Sequence, residues 1–226
     1  MFERFQHRSR ELERLDIGDY TPAEYSRWQR EMKYIHALFG EQRALKNTLF
    51  RDIESGGAKR FSVLDVGAGS GGLLRELGKW VSGRNSFLVG AELDEVAARS
   101  INDGEIAGVQ CDALQLPFAD GSFDYVFCSL FLHHLDDGSA ADLLREMSRV
   151  AAKRIYVIDL NRHPTAYYAY KIFGWFVFQR FTLEDGALSI LRSRTPDELR
   201  QIAKTAGLND VKVEKSRANR LILSGK

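Results

Sequence analysis

"SVLDVGAGSGG", residues 62–72, is where the chain first declares its architecture. Ser62 to Val66 suits a strand, and glycine then stands at 67, 69, 71 and 72 with only alanine and serine between. A strand ending in so little side chain makes room for something. Glycines permit a tight turn and close approach of a ligand, and a helix opening near Gly72 presents free N–H groups. Gly67, Gly69 and Gly72 also satisfy Gly-x-Gly-x-x-Gly, so a dinucleotide, a phosphate and a nucleoside all fit at this point.

Outward from that stretch, apolar runs at 61–66, 87–91, 125–128 and 155–158 alternate with helical composition over 73–81, 95–102 and 140–151. Continuous hydrophobicity marks strands covered on both faces, so a βαβ series and an α/β, doubly wound open sheet are predicted. "DVKVEK" and "RLILS" near the end offer two last strands. Residues 1–57 read as a helical extension or cap before a sheet domain over 58–226. Thr21, Pro22 and Glu24 make a capping box, Tyr25, Trp28, Met32, Ile35, Leu38 and Phe39 recur at helical spacing, and Gly40 is a stop. A second helical stretch over 41–53 ends at Ser55, Gly56 and Gly57, and Thr195, Pro196 and Glu198 repeat the capping device.

Composition narrows the classes. With 226 residues, 44% of them hydrophobic, the chain can bury one substantial core. A net charge of +1 lacks the basic excess of a polyanion binder, so no nucleic-acid partner is expected. Cys111 and Cys128 lie within or beside apolar runs and read as buried reduced thiols. The amino terminus, "MFERFQHRSRELERLD", has no apolar core of a secretory signal, so a cytoplasmic address is expected. "AYYAYKIFGWFVFQRF", 166–181, is too short to span a bilayer and is interrupted by Lys171, Gln179 and Arg180; membrane contact is expected only peripherally. No residue set reads as a metal site.

The next strand ends at Glu92, about 20 residues past the glycines, where a carboxylate can accept both ribose hydroxyls of a dinucleotide or of any nucleoside. A nicotinamide-dependent oxidoreductase is still open here. The third strand discriminates: "VQCDALQLPFADGSFDYVFCSLFLHHL", 109–135, sets Asp112 at a strand end, then Leu116-Pro117-Phe118, then Ser122-Phe123-Asp124. Together with "VLDVGAGSGG" and Glu92, this resembles the class I S-adenosylmethionine-dependent methyltransferases over roughly residues 60–160. The resemblance implies a Rossmann-like, seven-stranded, mostly parallel sheet with S-adenosylmethionine as cofactor. It places Asp65, Gly67, Ala68, Gly69, Gly71, Glu92, Leu93, Asp112, Ala113 and Ser129 around that cofactor. Asp112 would accept the adenine amino group, Ala113 would meet the ring, and Asp65 would lie near the methionine amino group. The family commonly has Asp where Glu92 stands, and a Gly-Gly turn where this chain has "AAKR".

Methyl transfer needs alignment of acceptor and methyl, and a base when the acceptor must lose a proton. His133 and His134 follow the fourth strand and His163 follows the fifth, so all three are candidate catalytic residues. The segment over about 164–192 resembles the ubiquinone/menaquinone and polyketide type of small-molecule methyltransferase. Its aromatics are expected to wall a pocket, like a lid, for a hydrophobic, aromatic acceptor methylated on oxygen or carbon. A non-catalytic cofactor-binding module with an aromatic partner face is the remaining alternative. The chain carries no Asn/Asp-Pro-Pro-Tyr/Phe motif after the fourth strand, as DNA amino-methyltransferases do.

Overall fold

In the computed structural model, which describes residues 3–38, 40–216 and 219–226, the glycine-rich loop leaves β1 (Arg60–Val66) at the carboxyl edge of a seven-stranded sheet. The other strands are β2 (Asn85–Glu92), β3 (Ile106–Gln110), β4 (Phe123–Ser129), β5 (Ala151–Leu160), β6 (Lys212–Ser216) and β7 (Arg220–Gly225). Their order is β3-β2-β1-β4-β5-β7-β6. The first five pair in parallel, and β7 runs antiparallel to both neighbours. Strand order therefore reverses between β1 and β4, the crevice where an open sheet of this kind binds ligands.

Ten α-helices lie among the described residues: α1 (Arg14–Ile17), α2 (Pro22–Leu38), α3 (Glu41–Leu45), α4 (Arg51–Ser55), α5 (Gly72–Trp80), α6 (Glu95–Ile101), α7 (Asp137–Val150), α8 (Pro164–Val177), α9 (Arg180–Arg192) and α10 (Pro196–Thr205). A π-helical stretch, Lys46–Phe50, joins α3 to α4 without a break. The two expected capping boxes form. Thr21 N–H donates to Glu24 at 2.8 Å, and Thr195 N–H donates to Glu198 at 2.8 Å. Phe39 lies outside the described residues. The helix expected over 140–151 starts earlier, at Asp137, and Ala151 already opens β5.

Strand residues alternate between two cores. Leu64, Val126 and Val157 pack with Leu143, Leu144 and Met147 of α7 and with Leu199 and Ile202 of α10. Val63, Phe127 and Tyr156 pack on the other face with Leu74 and Leu77 of α5 and with Leu45, Leu49 and Ile53 from the α3–α4 run. Within the extension expected over 1–57, residues 41–55 thus share the sheet's own core. Ile35 of α2 instead joins Phe5 and Tyr167, Tyr170, Leu183 and Ile190 of α8 and α9 in a third cluster. That layer stands at the carboxyl ends of β4 and β5, where α9 meets the short 3-10 turn Leu132–His134.

Candidate active site

At the end of β1, the N–H groups of Gly67 and Ala68 both donate to Ala91 O, at 2.9 and 3.1 Å, tying the glycine loop to β2. A Cβ on Gly67 would come within 2.9 Å of the Phe131 ring, and its φ of 70° lies in the left-handed region that L side chains avoid. Gly69 is also left-handed, at φ 54°, and faces open space. Gly71 immediately precedes α5. The Glu92 carboxylate accepts from Gly69 N–H at 2.8 Å and from Leu93 N–H at 2.8 Å.

The β2–β3 register pairs Glu92 with Gln110, so Glu92 and Asp112 leave adjacent strands at one edge. Asp112 is exposed, and its Oδ1 accepts from Leu114 N–H at 2.8 Å. Leu93 stands beside Glu92 with 68% of its surface exposed, and Ala113 is half-buried.

Asp65 and Ser129 end the two central strands, and both meet a residue that sequence patterning missed. Glu41, at the start of α3, is buried and accepts a hydrogen bond from the Ser129 hydroxyl. Burial, reinforced by the charges of Glu41 and Glu92, raises the Asp65 carboxyl well above its usual range. The edge of β1 thus gathers carboxylates from three separate elements. Arg220 of β7 is buried nearby, and the charges of Glu41 and Asp159 partly offset the lowering of its pKa by desolvation.

The histidines have different settings from one another. His133 is buried: its Nδ1 lies 2.7 Å from Asp159 Oδ1, its N–H donates to Asp159 Oδ2 at 2.9 Å, and its Nε2 stands 3.9 Å from Glu13. His134 Nδ1 lies 3.1 Å from Asp16. Arg192 pairs with Glu13 at 3.4 Å and also with Asp16. Glu13, His133 and His134 could by spacing hold a cation, and the Arg192 guanidinium already supplies positive charge there. Arg8 donates to His133 O, so the amino-terminal segment straps the pair down. His163 is exposed and caps α8, its Nδ1 accepting from Thr165 N–H at 3.3 Å. His133 and His134 are thus brought together, and His163 is occupied in starting a helix. Glu13, Asp16 and Arg192 gave no sequence signal, because each is an ordinary charge in a charge-rich stretch.

A methyltransferase-domain family model matches residues 63–154. The demethylmenaquinone methyltransferase of Roseiflexus sp. (strain RS-1) is 34% identical over 170 residues, spanning 66% of this chain and 68% of that protein. The chain belongs to the class I S-adenosylmethionine-dependent methyltransferases. A ubiquinone/menaquinone biosynthesis C-methyltransferase of Cellvibrio japonicus is 31% identical over 159 residues, covering 59% of this chain and 61% of that protein. Among solved structures, the plantazolicin methyltransferase BpumL shares the fold at a TM-score of 0.69 and 14% identity, covering 88% of this chain and 89% of that one. Magnesium protoporphyrin IX methyltransferase from Synechocystis PCC 6803 does so at 0.64 and 18%, covering 94% and 99%.

S-adenosylmethionine brings the activated methyl, and the edge of this methyltransferase's sheet suits it group by group. Glu92 would hold the ribose hydroxyls, Asp112 the adenine amino group and Leu93 the face of the ring. The open space at Gly69 gives clearance for the methionine tail. Asp65, raised first by burial and then by the charges of Glu41 and Glu92, would lie near the methionine end of the cofactor.

Glu13 predicts a pH signature. Burial pushes its carboxyl up to about 7, against the lowering effects of His134, Ser189 and Arg192. The folded protein therefore holds a proton that the unfolded chain has released between about pH 4.5 and 7, and stability falls as pH rises through that window. In Glu13→Gln this part of the decline, about 3 kcal/mol at most, is expected to vanish. Thermal melts of both proteins from pH 4 to 8 check it, and parallel curves would refute it.

Proposed function

We propose that this methyltransferase alkylates a ring carbon of a hydrophobic hydroquinone-type acceptor. The observation that carries the reading is similarity, over two thirds of both chains, to a demethylmenaquinone methyltransferase. A second relative is named as a C-methyltransferase, which favours carbon over oxygen. The apolar layer of α2, α8 and α9 at the ends of β4 and β5 is a suitable neighbour for such an acceptor. Cys111 and Cys128 are free thiols, which suits the cytoplasmic address read from the sequence.

Ring carbons of a hydroquinone are weak nucleophiles until a hydroxyl loses its proton. The phenolate then drives its electrons onto the adjacent carbon, the new carbon–methyl bond forms as the sulfur–methyl bond breaks, and the ring proton leaves to restore aromaticity. A base is therefore needed. Alignment of carbon and methyl would supply most of the acceleration, on the order of 7 to 11 kcal/mol.

Incubation with methyl-labelled cofactor and a reduced, demethylated short-chain quinone tests the reading. Label is expected on a ring carbon, located by fragmentation of the product. Label on oxygen, or none with any hydroquinone offered, would overturn it.

A further inference from the structure

Helix α8 is apolar around its whole circumference, and this chain covers only one side of it. Tyr167, Tyr170 and Gly174 face inward with Phe178 just beyond the helix. Tyr170 OH donates to Thr182 O at 2.8 Å, and a Cβ on Gly174 would come within 2.7 Å of Leu183, so the inner side is closely packed on α9. On the outer side Trp175 and Phe176 are 75% and 82% exposed, and Ile172, Phe173 and Val177 are exposed beside them. A helix that is hydrophobic all round belongs in a core or in lipid, and scattered surface apolars do not explain five in six consecutive positions.

Charge selects the occupant. Between Pro164 and Phe181 there is no acidic residue, and the only charged side chains are Lys171 and Arg180, both exposed, Arg180 being paired with Glu184 at 2.6 Å. Tryptophan and phenylalanine on an apolar face edged by cations is the chemistry of a helix lying in the headgroup region of a bilayer. No helix among the described residues is long and apolar enough to cross a membrane, so the contact is superficial. In the chain α8 directly follows β5, whose carboxyl end lies at the same edge of the sheet as the glycine loop.

We propose that the outer face of α8, through Ile172, Phe173, Trp175, Phe176 and Val177, seats this methyltransferase on an anionic lipid surface. That this surface also delivers the acceptor rests on the hydroquinone reading; the docking itself does not.

Co-sedimentation with phosphatidylcholine vesicles, with and without phosphatidylglycerol, tests the proposal. The intact protein is expected to bind the anionic vesicles more tightly, and salt to weaken that preference. Trp175→Glu combined with Phe176→Glu should lower partitioning by about tenfold or more, with S-adenosylmethionine binding by calorimetry unchanged. Failure of the wild type to bind either vesicle, or undiminished binding by the double variant, would overturn the docking; equal binding to both vesicles would overturn the anionic preference. A concentration-dependent dimer in sedimentation velocity, lost in the double variant and accompanied by no vesicle binding, would assign the face to a second copy instead. Methylation of a tail-less, water-soluble hydroquinone without vesicles reports on the acceptor alone, so failure there is distinguishable from failure of docking.

Discussion

Glu92→Ala is expected to weaken S-adenosylmethionine binding by about a hundredfold or more while leaving the protein folded. Hydrogen bonds to a charged group contribute roughly 1.5–3 kcal/mol each, and two ribose hydroxyls on one carboxylate come to at least about 3 kcal/mol, or two decades of affinity. A second effect adds to it: the same carboxylate accepts from Gly69 N–H, so its removal loosens the glycine loop as well. Stability should not fall in parallel, because Glu92 is one of the charges that raise Asp65, and deleting it relieves that repulsion. Glu92→Asp keeps the charge with a shorter reach and should lose less. Calorimetric titration of the three proteins decides. Undiminished affinity in the alanine variant would remove Glu92 from the site.

Asp159→Ala should act in the opposite way, on the fold first. Asp159 is buried and accepts from His133 N–H at 2.9 Å and from Leu160 N–H at 2.7 Å, while its Oδ1 lies 2.7 Å from His133 Nδ1. Burial alone would raise its pKa, and the charge and hydrogen bonds of His133 outweigh that and hold it below the usual range. Its contribution is therefore present above the ordinary carboxylate pKa and is lost as pH falls through the lowered one. Truncation strands these donors and removes a counter-charge for Arg194. Breaking a buried pair in this manner costs about 3–5 kcal/mol, a fall of roughly 10 °C in Tm for a chain of this size. A loss below about 1 kcal/mol in urea unfolding would show that the His133–Asp159 contact is not structural.

Legibility in the sequence divides along the same line as these two residues. The place of Glu92 was readable because it follows from position: a carboxylate at a strand end, a fixed distance past a glycine loop, where the structure sets it. Asp112, the capping boxes at Thr21 and Thr195, and the strand runs share that local character, and the sheet forms where they predict. Asp159 lies near the end of β5, and nothing in the sequence links it to its partners. His133 is 26 residues away, Ser129 and Glu41 are 88 apart, and Arg192 and Asp16 are 176 apart. No period or spacing links charges so distant, and of the candidate catalytic histidines, His133 and His134 are strapped beneath the amino-terminal segment.

The aromatic stretch shows the remaining gap. In the structure Tyr167, Tyr170 and Gly174 lie on one side of α8 and Ile172, Phe173 and Phe176 on another. Spacing cannot say which side meets protein. The expected pocket wall is in fact divided between an inner face packed on α9 and an outer face left open.

By itself, then, the sequence determined the α/β architecture and the cofactor class, because backbone periodicity, caps and glycine turns act over a few residues. Tertiary structure alone decided which carboxylates crowd Asp65, what holds His133 and which aromatics remain exposed. Burial and Coulomb interactions depend on distance in space, and the chain sets that distance only once it has folded.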